Sequence, residues 1–116
     1  MFSDTDGVLS LAFSAARDAV CGQMRVRTGD VTRDAVFSPN GASPRAVTVT
    51  RQVTLLLLRD TFGCSFGEIA RKTGISERRV KSNVSNARWC AANDPVFGDV
   101  CDAARYVLSD YGERAE

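Results

Sequence analysis

The side chains best suited to recognition chemistry in this chain of 116 residues gather between positions 65 and 92. Arg78, Arg79, Ser82, Asn83 and Asn86 share the polar face of one helical stretch, opposite Val80, Val84, Ala87 and Ala91. An arginine fork can pair with guanine O6 and N7, and short Ser and Asn side chains can reach base edges or phosphates. Lys81 and Arg88 suit phosphate oxygens, as do Arg71 and Lys72 just upstream and Arg45 earlier in the chain. This set of residue types can hold a polyanion and read its edges. It has no group placed to break a bond.

Other chemistries lack their residues. Histidine is absent, which removes histidine triads, histidine bases and histidine metal ligands together. Cys21, Cys64, Cys90 and Cys101 lie 43, 26 and 11 residues apart, so no C-x-x-C pair begins a zinc or redox motif. They read as reduced thiols packed like small hydrophobes. No G-x-x-x-x-G-K-[ST] loop is present. Asp99, Asp102 and Asp110 read as the solvated face of a helix. The expectation is therefore no enzyme, no metal, no cofactor and no nucleotide. The longest strongly apolar run is Leu55–Leu58, far short of the ~20 residues of a membrane span. The opening residues lack the basic start of a signal peptide. A cytoplasmic, nucleoid-associated chain without a membrane partner is expected.

Charge supports the same segment. The net formal charge is only +1, yet it is unevenly spread. Residues 45–88 carry nine Arg and Lys against Asp60, Glu68 and Glu77, a balance of +6, between ends of −1 and −4. A basic middle with acidic ends is the footprint of a nucleic-acid surface.

The elements that position these residues read as all-α. Leu9, Phe13, Ala16, Val20 and Met24 form one apolar helical face over about residues 6–23. Asp30 can cap a short helix with Val31, Ala35 and Val36, and Ser38–Pro44 is a loop by composition. Val47–Thr50 could pass for a strand, but the apolar block to Phe62 predicts a buried helix that begins within 45–50 and ends at Gly63. Ser65-Phe66-Gly67-Glu68 is a capping box, and its helix N-terminus offers N–H groups to a phosphate. Lys72-Thr73-Gly74-Ile75 is a tight turn, after which Ser76 caps the helix that carries Arg78 to Arg88. In such a unit the second helix enters the major groove at its N-terminal end. Arg79 shares a face with Ser82 and Asn83 and is assigned to a base, Arg78 to a base or a flanking phosphate. Trp89 reads as a core or edge anchor. Asp94-Pro95 opens a last helix with Phe97, Val100, Cys101, Ala104, Val107 and Leu108.

This division gives a flexible N-terminus at 1–7, a compact helical domain at 8–108 with a central helix-turn-helix at about 65–92, and a polar, fraying tail at 109–116. The stretch Arg51-Gln52-Val53, Leu58-Arg59-Asp60, Ser65-Phe66-Gly67-Glu68-Ile69-Ala70, Thr73-Gly74 and Val80 resembles the C-terminal DNA-binding domain of the bacterial replication initiator DnaA. The resemblance covers roughly residues 8–108 and does not extend to that family's ATPase portion. It implies an all-α domain whose helix-turn-helix reads the major groove, with the preceding loop near the minor groove. Where that family has G-R-D-H-T-T-V, this chain has the shorter Ile75-Ser76-Glu77-Arg78-Arg79-Val80.

The expected function is sequence-specific binding of double-stranded DNA by a replication or transcription regulator. A second copy of the chain or a replication protein is a further expected partner. The competing expectation is a protein-interaction module that kept the fold without binding DNA. Such a module has no need of the +6 middle.

Overall fold

The computed structural model describes residues 4–38 and 43–115, and all six of its longer elements are α-helices. Helix α1 spans Asp4–Met24, α2 Arg33–Val36, α3 Arg45–Asp60, α4 Phe66–Thr73, α5 Glu77–Asn93 and α6 Pro95–Ala115. A 3-10 turn, Thr28–Asp30, joins α1 to α2. Pro39–Ala42, the centre of the expected Pro/Asn-Gly loop, lies outside the described residues, as do residues 1–3 and 116.

Helix α3 is the axis of the fold, and it touches every other α-helix. Val47, Val53 and Leu55–Leu58 are all buried, with apolar side chains on nearly all sides. This explains why the β-branched Val47–Thr50 are helical: the burial available to a central helix outweighs their weak local preference. Thr50 and Thr54 are buried too, and each hydroxyl donates to the carbonyl four residues back, Ala46 O and Thr50 O, both at 2.7 Å. Neither of these two hydroxyls is left without a partner. Helix α1 lays Leu9, Ala12, Phe13, Ala16 and Val20 against α3 and α6, the face expected from its periodicity. Helix α6 adds Phe97, Val100, Cys101 and Ala104. At the α5–α6 turn the backbones come close, since a Cβ on Gly98 would lie 3.2 Å from Ala91 O.

The boundaries differ from the sequence expectation in a few places. Asp30 ends the 3-10 turn, and Thr32 caps α2 instead, its Oγ1 accepting from Ala35 N–H at 3.2 Å. Helix α1 already begins at Asp4, inside the stretch expected to be flexible. Helix α6 continues to Ala115, beyond the boundary expected at Ser109. At the end of α3 the chain turns at Gly63, and Cys64 N–H closes on Leu58 O at 2.9 Å.

The four thiols are free; Cys21, Cys64 and Cys101 are buried and Cys90 is half-buried. Burial pushes the Cys101 thiol up to about 11, the behaviour of a packed, unreactive side chain. Among the described residues no cluster of metal-ligating side chains occurs, and no helix is long and apolar enough to cross a membrane.

Candidate nucleic-acid interface

The helix-turn-helix is built from α4, a three-residue turn and α5. Ser65 and Glu68 form a complete capping box at the start of α4. Ser65 Oγ accepts from Glu68 N–H and Glu68 Oε1 accepts from Ser65 N–H, each at 3.1 Å. These bonds hold the Glu68 carboxyl below its ordinary range. They also place a carboxylate at the helix end that the sequence reading offered to a phosphate. The turn begins two residues later than expected and is one residue shorter. Helix α4 continues through Thr73, and Gly74 takes the left-handed conformation, φ +76°, that a β-carbon would strain. Thr73 Oγ1 donates to Ile69 O at 2.8 Å and accepts from Ile75 N–H at 3.3 Å, which fixes the turn from inside. Ile75 is buried beneath it. Ser76 then caps α5 by accepting from Arg79 N–H at 3.3 Å.

Helix α5 buries Val80, Val84 and Ala87 and turns its remaining surface outward. Arg78, Lys81, Ser82, Asn86 and Arg88 are exposed, as is Arg71 at the end of α4; Lys72, Arg79 and Asn83 are half-buried. Among the described residues no ion pair involves Arg71, Lys72, Arg78 or Lys81. The structure thus brings Arg71, Lys72, Ser76, Arg78, Arg79, Lys81, Ser82, Asn83 and Asn86 onto one unit, as expected from the sequence.

Several of these residues have duties the sequence did not reveal. Arg88 grips Asp60 with two bonds, at 2.6 and 3.4 Å, and the pair raises its already high basicity. Arg45, at the far end of α3, pairs with Asp94 at 3.3 Å. Both arginines tie α5 or its end to α3, so each meets an aspartate where a phosphate contact had been expected. The Asn83 side-chain amide donates to Arg79 O at 2.7 Å, which leaves its carbonyl oxygen for an outside donor. The Lys81 ammonium lies 5.8 Å from the Phe66 ring, and the Arg59 guanidinium stands 4.5 Å from the same ring.

Two residues were missed and a third was misplaced. Arg51 was named only among the residues of the family resemblance. It is 7% exposed and donates to Val36 O, to Ala35 O at 3.4 Å and to Ser43 Oγ at 3.2 Å. It joins the end of α2 to the start of α3. Burial and the nearby Arg79 charge push its guanidinium below its usual range. Arg33 and Lys72 both line an open cleft of about 410 Å³ between α2 and α4; they lie 39 positions apart, so no local pattern could pair them. Trp89, expected to anchor the core or its edge, is 64% exposed. It sits opposite Val80, Val84 and Ala87 on the helix, and periodicity alone carried that signal.

Residues 50–90, from within α3 almost to the end of α5, match the family model of Sigma-70, region 4. No curated protein and no solved structure matches the chain. The match agrees with the helix-turn-helix and with the all-α fold. It does not support the expected likeness to the replication initiator. The physical reason for the confusion is plain: a capped short helix, a glycine turn and a capped second helix are what any helix-turn-helix needs, so Ser65-x-x-Glu68-Ile69 and Thr73-Gly74 do not separate one such family from another.

Proposed function

We propose that the chain binds double-stranded DNA through α4 and α5 and serves transcription. The observation that carries this reading is the outward face of the α4–turn–α5 unit. It bears Arg71 and Lys72 on α4 and Arg78 and Lys81 on α5, none of them in an ion pair among the described residues, and the opposite face of α5 is buried. The first turns of α5 enter the major groove, and Lys72 and Arg71 lie on the flanking phosphates. Arg78 is the better placed of the two adjacent arginines for a base edge. It is exposed and points along the same line as Ser82, whereas Arg79 is half-buried beside the charge of Arg51. The likeness of residues 50–90 to Sigma-70, region 4 supports transcription over replication initiation as the setting.

The test is a fluorescence-anisotropy titration of labelled duplexes at several salt concentrations, followed by selection of bound sequences from a random pool. Four or five phosphate contacts give a log–log salt slope of about −3 to −5. Selection yields a defined motif. No binding at low salt would discard the DNA reading in favour of the protein-interaction module.

A further inference from the structure

Helix α5 is longer than base reading requires. Its 17 residues span about 25 Å, whereas the major groove is about 12 Å wide. A helix that enters with its first turns therefore still has exposed surface when it passes the groove's edge. From Arg78, steps of four, three and four lead to Ser82, Ser85 and Trp89, and all four are exposed. These steps keep the four on one line along the helix. Trp89 stands about 16 Å beyond Arg78 on that line. Its indole is the largest exposed side chain of α5, with 64% of the residue open to solvent.

We propose that Trp89 seats on the sugar–phosphate backbone at the border of the major groove. Its ring face lies on deoxyribose and its Nε1–H donates to a phosphate oxygen. The inference rests on the DNA reading of the α4–turn–α5 unit and extends the contact to the far half of α5. Indole chemistry suits the place, being a broad apolar face with a single donor and no acceptor. Bases of an intact duplex show only their edges in the groove, so stacking on a base is not available there. Of the helical neighbours of Trp89 on this surface, Ser85, Asn86 and Asn93 are polar and Ala92 is small, and the surface is continuous with the cationic end of the helix. Those features fit a hydrated polyanion better than an apolar protein patch.

Trp89 is the only tryptophan, so its emission can be followed by itself. Duplex DNA with a dye on one end is titrated with the protein while dye anisotropy and indole emission are both recorded. The expected result is an indole shift, with loss of acrylamide quenching, in step with the anisotropy rise. Trp89→Ala weakens binding to all duplexes by about five- to tenfold, with an unchanged salt slope because no counterion is released by a neutral donor. Trp89→Phe falls between, since it keeps the ring and lacks the N–H. Anisotropy that reports binding while indole emission, quenching and the affinity of Trp89→Ala all stay unchanged would overturn the inference and assign this surface to a protein partner. Absence of any anisotropy change would instead remove the DNA reading and this inference with it.

Discussion

Two groups of cations lie within the same 44-residue stretch, and the fold treats them in opposite ways. Arg45 and Arg88 are each held by an aspartate, Asp94 and Asp60, and lash α5 and its end to the two ends of α3. Arg71, Lys72, Arg78 and Lys81 belong to the α4–turn–α5 unit and form no ion pair among the described residues. The difference teaches that the formal charge of a segment is not the charge it offers to a polyanion. A guanidinium already bonded to a carboxylate must give up that bond before it can hold a phosphate. The buried Val80, Val84 and Ala87 seat α5, and the pairs add a smaller tie to α3 that occupies their guanidinium groups.

The largest effect comes from the support common to both groups. Leu57 is 1% exposed in the last turn of α3. Leu57→Ala is expected to lower stability by about 2–5 kcal/mol, a large share of what a domain of this size has. Denaturant melts measure it. Because α3 carries both Asp60 and the contacts beneath α5, DNA binding falls in parallel with the folded fraction. Binding that survived such a loss undiminished would mean that the recognition unit stands without α3.

How much of this was legible in the sequence follows from the range of the interactions involved. The capping box at Ser65, the cap at Ser76 and the turn glycine Gly74 are local, each set by residues within four positions, and their placement followed from the sequence. The apolar face of α1 was legible for the same reason. The Arg88–Asp60 and Arg45–Asp94 pairs join residues 28 and 49 positions apart. No periodicity encodes them, and so these arginines read as phosphate contacts. Arg51 escaped because a buried cation served by carbonyl and hydroxyl oxygens looks, in sequence, like any surface arginine. Trp89 was misread on residue type, although its position opposite Val80 and Val84 already put it outside.

A smaller effect sharpens the contrast within the unpaired group. Arg78→Ala is expected to weaken the selected site by about 1–3 kcal/mol and to relax the preference at one or two base pairs. Lys72→Ala should weaken every duplex alike and make the salt slope shallower by about one unit. Paired titrations against the selected sequence and a scrambled one separate the two outcomes. If Arg78→Ala reduced both duplexes by the same factor, Arg78 would be a backbone contact and base reading would pass to Arg79 and Asn83.

The smallest effect tests the comparison itself. The Arg88–Asp60 pair is bidentate but partly exposed, with side-chain exposures of 51% and 38%. Solvent screens such a pair, so its loss in Arg88→Ala is expected to cost no more than about 1 kcal/mol in a denaturant melt. The decisive reading is the salt slope. An arginine occupied by Asp60 releases no counterion from DNA, so Arg88→Ala should leave the slope as it is, unlike Lys72→Ala. Asp60→Asn removes the carboxylate charge and lets the guanidinium turn outward. It should steepen the slope and tighten binding to scrambled DNA, at a similar small cost in stability. A slope that became shallower in Arg88→Ala would show that DNA takes Arg88 away from Asp60 on binding. The two groups of cations would then be one, separated in the free protein only by which anion is at hand.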